Sequence, residues 1–261
     1  MAYATVATGF KSGGYDTNGD TSQALATPFL PERVTSYEAG VKLRLLDERL
    51  IVNAAAYDAR YTDLQVTDFN PATFASFTSN AGAANIPGVE LETAFNPIRW
   101  LTLTGNYSYM DAKYTRYVEQ DGTDLTGNQI PFDAKSHATL GADVHFTSPA
   151  MAGGEVQFGG DVTWRSKIYF QDDNSADWAF VHDHSGIDGL VNLHANWTSA
   201  DDTLEVSLWA NNIGNDRYII NATNIKGAFG TPSEYFNPAD QIYVGDWNMP
   251  RMYGITLTYK H

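Results

Sequence analysis

The chain has 261 residues, room for one large domain or two small ones, and its 31 acidic against 16 basic side chains give a formal net charge of −15. That balance leaves no basic footprint for a nucleic-acid backbone, and the absence of cysteine removes disulfides, thiolate metal sites and cysteine nucleophiles. Tyr (15), Phe (13) and Trp (6) are abundant, yet no run of about 18 apolar residues exists; this excludes a transmembrane helix but not a membrane barrel, whose strands hide their hydrophobicity at alternate positions.

Two-residue alternation runs through the chain from its start, with no helical stripe and no basic-then-apolar leader after Met1. About ten strands are expected, over 2–10, 34–46, 50–66, 77–95, 100–115, 134–147, 154–170, 187–198, 203–219 and 251–260. In the second, Tyr37, Ala39, Val41, Leu43 and Leu45 alternate with Glu38, Lys42 and Arg44. In the third, less regular, Tyr57, Ala59 and Tyr61 oppose Asp58 and Arg60. The fourth sets Val89, Leu91 and Phe95 against Glu90 and Glu92. Later strands repeat the pattern: Leu101, Leu103, Tyr107 and Tyr109; Leu140, Val144 and Phe146 against Asp143; Phe158, Val162 and Trp164 against Asp161 and Arg165. Tyr253, Ile255, Leu257 and Tyr259 close the series.

The connections alternate in length. Short ones fall at 47–49, 96–99, 148–153 and 199–202, and long ones at 11–33, 67–76, 116–133, 171–186 and 220–250. An up-and-down membrane barrel with short periplasmic turns and long outer loops has that rhythm. Nine steps from Trp100 to Tyr109 reach roughly 30 Å, enough for a tilted strand to cross the ~25 Å apolar band. Apolar residues would then face lipid and charges a wet lumen. A soluble all-β carbohydrate-binding domain is the alternative, although such domains use shorter strands and one oily core face.

Several stretches resemble the C-terminal half of the barrel of TonB-dependent outer-membrane receptors. They are Gly9-Phe-Lys-Ser-Gly-Gly14, Pro31-Glu32 with Tyr37-Glu-Ala-Gly-Val-Lys42, and Asn80-Ala-Gly82 with Gly88-Val-Glu-Leu-Glu92. Tyr107-Ser-Tyr-Met-Asp-Ala-Lys-Tyr114, Asn211-Asn-Ile-Gly-Asn-Asp-Arg-Tyr218 and Arg251-Met-Tyr-Gly-Ile-Thr-Leu-Thr-Tyr259 follow in the same order. The resemblance implies one domain over 1–261, an antiparallel segment contributing about ten strands of a 22-stranded barrel. It implies a Gram-negative outer-membrane location beside lipid and lipopolysaccharide, and TonB-energised uptake of a scarce nutrient such as a ferric siderophore. TonB would be contacted through an N-terminal region that, like the plug and the earlier strands, this sequence lacks. The family's usual final aromatic is replaced by Tyr259-Lys260-His261. No catalytic role, cofactor or resident metal is implied.

Two groups of candidate residues follow. Glu38, Lys42, Arg44, Arg60, Glu90, Glu92, Asp143, Asp161, Arg165 and Glu205 are expected on the lumen face, against the plug or the water around it, as is Asp58. On the outer loops, Asp172, Asp173, Trp178, His182, His184, Tyr235 and Trp247 are the candidate ligand contacts, suited to stacking and hydrogen bonding. His182, Asp183 and His184 also have donor types suited to a transition ion. Asp16-Thr-Asn-Gly-Asp20 has a calcium-loop look but lacks that loop's glycine and terminal glutamate. A ten-stranded outer-membrane protease is a further alternative, casting Asp172, Asp173, Asp183 and His184 as its acid–base groups. All four share one loop, whereas that design draws them from opposite walls.

Overall fold

The computed structural model describes residues 1–15, 28–70, 75–119, 122–174, 179–224 and 243–260. In chain order, β1 (Ala2–Lys11) is followed by two short strands, β2 (Gly14–Tyr15) and β3 (Pro28–Phe29). Then come β4 (Glu32–Leu45), β5 (Leu50–Asn70), β6 (Ala75–Ile98), β7 (Leu101–Met110), β8 (Lys113–Tyr117), β9 (Ser136–Ser148) and β10 (Gly154–Arg165). A helix, α1 (Ala179–Asp183), precedes β11 (Ile187–Thr198), β12 (Leu204–Asn211), β13 (Ile219–Asn224), β14 (Tyr243–Trp247) and β15 (Met252–Tyr259). The main sheet runs β1-β4-β5-β6-β7-β9-β10-β11-β12-β15, with β8 added against the upper part of β6. Every pairing is antiparallel, the main path keeps chain order, and the sheet is open, with β1 and β15 at its edges.

Opposed residues in an antiparallel pair share a face, so the ladders can be read across the wall. One row runs Ala2, Val41, Ala54, Leu91, Tyr107, Ala138 and Trp164, apolar or aromatic throughout. The adjacent row, one residue along, runs Lys42, Asn53, Glu92, Asn106, Thr139 and Thr163. The alternation therefore holds across strands as well as along them. On the apolar side, Leu140 is 62% exposed, Phe158 52% and Leu208 52%. A continuous face of this kind is unfavourable in water and suited to lipid.

The sheet encloses no core of its own. Buried apolar residues gather beyond its upper end instead, in two clusters. Val66, Tyr114, Tyr117 and Leu125 form one, and Ile168, Phe170, Val181, Ile219 and Ala222 the other. Both are built from the ends of long strands and the long connections, so these connections fold over the upper rim as a cap. Several boundaries shift from expectation for this reason. The strand expected over 100–115 stops at Met110, and Lys113–Tyr117 leaves β7 to pair with β6. The strand expected over 154–170 stops at Arg165, and that over 203–219 at Asn211, where Asn212 takes a left-handed φ of 53°. The connection expected at 67–76 is mostly strand, since β5 reaches Asn70 and β6 begins at Ala75. A helix and the β13–β14 hairpin lie inside the other long connections.

On the polar face, aromatic rings lie over glycines on the neighbouring strand. Tyr3 lies over Gly40, Tyr57 over Gly88 and Trp209 over Gly254. A Cβ at Gly88 would sit 2.5 Å from the Tyr57 ring and 2.7 Å from the Tyr109 carbonyl oxygen, so the ring can lie flat only on glycine. Gly88→Ala is expected to cost about 1–3 kcal/mol through overpacking. Gly189→Ala, whose Cβ meets nothing within 4 Å, should change stability by no more than ~0.5 kcal/mol. Urea unfolding of the detergent-folded proteins checks both.

Candidate functional site: the polar wall and the outer cap

Short connections at 46–49, 99–100, 149–153 and 199–203 define the lower rim, and the cap the upper. Between them, Glu38, Lys42, Arg44, Glu90, Glu92, Asp143, Asp161, Arg165 and Glu205 all register on the polar face. Most are partnered locally. Tyr3 Oη donates to Glu38 at 2.6 Å, Asn53 Nδ2 to Glu92 at 3.3 Å and Asn192 Nδ2 to Asp161 at 3.0 Å. Asp143 Oδ1 accepts from Gln157 Nε2 at 2.9 Å and lies 2.8 Å from His194 Nε2. Asn196 extends this group by donating to Gln157 at 3.3 Å. Lys42 Nζ stands 5.7 Å from the Tyr3 ring centroid, and Arg44 reaches Glu48 at 3.4 Å. Glu205 receives Lys260 at 3.9 Å, and Arg165 donates to the Ser185 carbonyl at 2.7 Å. The wall is thus a fixed mosaic of both signs with most polar atoms paired.

Arg60 is corrected. It pairs with Thr35 on one side and Asn85 on the other, and Asp58 pairs with Tyr37 and Pro87, so both point outward with the apolar set. Tyr57, Ala59 and Tyr61 take the inward positions. The tyrosines at 57 and 61 read as apolar in the sequence, whereas both sit on the polar face, where the Tyr57 ring lies on Gly88. Arg60 Nη2 lies 2.7 Å from Asp58, and its guanidinium carbon sits 5.6 Å from the Tyr37 ring centroid.

The outer-loop candidates fall into three groups. Asp172 and Asp173 join one loop to another: the Tyr114 hydroxyl donates to the Asp172 carboxylate, and Asn128 Nδ2 donates to the carbonyls of Asp172 at 2.8 Å and Asp173 at 3.0 Å. Burial, reinforced by that carboxylate, pushes the Tyr114 phenol well up. Asn174 completes the junction, accepting from Gln129 N at 2.6 Å and donating to Gln129 O at 3.0 Å. His182 and His184 flank the end of α1 but diverge. The His182 ring stacks on Tyr169 at 4.2 Å, while His184 lies against Phe180 at 4.3 Å and meets the edge of Trp247 at 6.1 Å. Asp183 turns away to Lys167 at 2.6 Å, whose hydrogen bond lowers its pKa. The Asp183–His184 pairing that a protease would use is therefore not formed. Among the described residues no three His, Asp or Glu side chains converge as a metal would require. Trp178, Tyr235 and Asp16–Asp20 lie outside the described residues.

Sequence reasoning missed the cleft beside α1. Its volume is about 460 Å³, and Lys135, Arg165, Lys167, Tyr169 and His182 line it with Trp164. Lys167 and Tyr169 were hidden because 154–170 reads as one strand; the small polar Ser166, directly after the last alternating pair, is the available sign of a break. Two asparagines hold the far side of the cap. Asn212 Nδ2 donates to the carbonyls of Asp216 at 2.9 Å and Met249 at 3.1 Å, and Asn248 Oδ1 accepts from Tyr218 N at 3.0 Å.

Burial lowers the His182 pKa, with Lys167 adding to the effect. A base whose folded pKa is depressed favours folding fully above its unfolded value of about 6.5, and that contribution is lost as pH falls through this range. Protection factors for hydrogen exchange over 166–174 and 179–186, taken against the intrinsic rate at each pH, should therefore fall between pH 7.5 and 5.5, and His182→Phe should remove that fall while keeping the stack.

Comparison with known proteins follows the same geometry. Residues 1–213 match the family described as TonB dependent receptor-like, beta-barrel. The ferrichrome outer membrane transporter/phage receptor of Escherichia coli K12 is 28% identical over 201 residues, which is 77% of this chain and 25% of that protein. The metal-pseudopaline receptor CntO of Pseudomonas aeruginosa is 36% identical over 106 residues, 40% of this chain and 14% of the receptor. Among solved structures, the ferric yersiniabactin uptake receptor FyuA of Yersinia pestis superposes with a TM-score of 0.74 at 21% identity, over 99% of this chain and 34% of that one. The chain thus spans about a third of the length of that solved receptor. With the ladder pattern, the up-and-down order and the family match over most of its length, the chain belongs to the TonB-dependent receptor β-barrel family of the Gram-negative outer membrane.

Proposed function

We propose that residues 1–261 form the C-terminal part of the barrel of an outer-membrane receptor that takes up a ferric siderophore at the expense of TonB-transmitted energy. The remainder of the protein would supply the other strands, a plug inside the barrel and the segment that engages TonB. The observation that carries this reading is the two-sided wall: a mainly apolar face outward, a mixed-charge face inward, and a folded cap at one rim only. A receptor needs that asymmetry, because the cap must recognise cargo from outside while the lower rim only closes hairpins. The names of the similar receptors support a ferric chelate as cargo. Within the cap, Lys135, Arg165 and Lys167 beside Tyr169 and His182 suit an anionic, partly aromatic ligand, through charge-assisted hydrogen bonds and ring stacking. The inward charges are assigned to contact with the plug. The protein acts as a receptor and transporter, not as an enzyme.

The test is uptake. In iron-limited cells lacking the gene, the complete gene should restore accumulation of radiolabelled iron from a panel of ferric siderophores, and a strain without TonB should not accumulate it. Failure across the panel in both strains would sink the siderophore assignment. With the cargo in hand, Lys167→Glu and Lys135→Glu together should raise its apparent Kd about tenfold or more while heat-modifiable mobility on gels stays that of the folded barrel.

A further inference from the structure

Beside the cationic cleft lies a second one of different chemistry. It measures about 290 Å³, and Leu190, Tyr218, Ile220, Met249, Pro250 and Met252 line it together with four asparagines. No charged side chain is among them. Leu190 and Asn192 register with Thr163 and Asp161, and Asn211 with Met252, so the cleft opens on the polar face of the wall. The asparagines do not make it polar. Asn192 is engaged by Asp161 and by Asn212 N, while Asn212 and Asn248 hold the carbonyls of Asp216 and Met249. What faces the space is mostly hydrocarbon, and Ile220 is 47% exposed and Met249 70%. Apolar side chains gathered on the wet side of the wall mark a binding surface.

The two clefts are contiguous. Asp188 lines the first and Leu190 the second, successive inward residues of β11 about 7 Å apart. Arg165 lines the first, and its guanidinium carbon stands 5.6 Å from the ring centroid of Tyr218, which lines the second. Arg165 Nη2 donates to the Ser185 carbonyl, but its Nε is buried with no hydrogen-bond partner among the described residues. A ligand acceptor placed where the clefts meet would pair it. We infer that the cargo has two chemically distinct parts: an anionic head that occupies the cationic cleft, and an uncharged, mainly apolar arm that occupies the second, with Arg165 at the polar link between them. The inference rests on the cargo reading above and narrows it. The second cleft alone falls below the range of roughly 300–1,000 Å³ typical of small-molecule sites, which fits part of a ligand and not a whole one. At the ~30 Å³ of a water-sized group it has room for about eight to ten non-hydrogen atoms. Charge fixes the orientation. An anionic head set against Leu190, Ile220 and Met252 would be left unpaired, and an apolar arm gains nothing beside Lys135 and Lys167.

Ferric chelates with catecholate, hydroxamate and hydroxycarboxylate heads, each carrying either an acetyl or an octanoyl arm, would be titrated against the purified complete receptor by tryptophan fluorescence. For the head that binds, the octanoyl arm should lower Kd about tenfold or more relative to acetyl. Asn211→Trp fills the second cleft from an exposed position. It should abolish that advantage and leave Kd for the acetyl chelate within about twofold of wild type. Leu190→Glu, which puts a charge there, should do the same, and it carries the test if Asn211→Trp does not give the heat-modifiable mobility of a folded barrel. Equal Kd for the two arms in the wild type, as when the plug fills the cleft, would overturn the inference and leave the siderophore reading standing. An octanoyl advantage that survives the substitutions would overturn it too, because the gain would then come from detergent or another surface. Should no head bind, both readings fall.

Discussion

Everything in this structure depends on one requirement: a backbone amide or carbonyl that crosses hydrocarbon must find its hydrogen-bond partner within the protein. The long strands meet it by pairing with their neighbours on both sides, and the pairing then dictates the rest. Pleating sends successive side chains to opposite faces, so one sequence period serves two solvents at once. Because each face has its own solvent, the sheet needs no core between layers. The usual site of hydrophobic burial in a soluble domain is replaced by lipid on one side and by water or protein on the other. The buried apolar clusters stand above the bilayer, where the chain leaves the ladder and must again exclude water by itself.

That division explains why the two ends of the wall differ so much. At the lower rim a few residues suffice to reverse direction. Leu46, Asp47 and Glu48 all adopt positive φ to do so, and Arg49 closes the turn onto the Leu46 carbonyl at 3.2 Å. At the upper rim each connection is long enough to carry its own packing, and side-chain amides take over the work of the ladder. Asn128, Asn174, Asn212 and Asn248 each satisfy two or more backbone groups. An asparagine that both donates and accepts can terminate a strand pair without leaving an orphaned carbonyl. This also gives a physical reason for the Asn211-Asn-Ile-Gly-Asn-Asp-Arg-Tyr218 stretch at the end of β12.

The spanning wall was legible because lipid and water impose their demands at every second residue over long stretches, and a signal repeated ten or more times is hard to misread. The register of Val89-Glu90-Leu91-Glu92 could be read from those four residues alone. The third strand was misread where the side chains themselves are ambivalent. Tyrosine suits either face, so 57–61 offers no decision in the sequence, and the space for the Tyr57 ring comes from Gly88 on the neighbouring strand. The breaks at Met110 and Arg165 carry neither glycine nor proline, and Ser166 is a slight sign at the second; tertiary pairing, of Lys113–Tyr117 with β6 and of Ser166 with Ser136, ends those strands. The cap residues were recognised as a chemical mixture, but not which of them were structural. Asp172 looked like a ligand contact and holds a tyrosine; Lys167 looked like a strand residue and lines the cleft.

The location of the cap cores has a consequence for the order in which the molecule is made. Val66, Tyr114, Tyr117 and Leu125 belong to chain that ends on the far side of the membrane from where the short turns lie. A folded cap of that width cannot follow a strand through hydrocarbon, so these residues have to cross as open chain. Their cluster closes only afterwards, each loop held meanwhile by the hairpin beneath it. The wall is therefore the template and the cap its last product. A defect confined to the cap would leave a wall that still inserts and pairs beneath an unfinished rim.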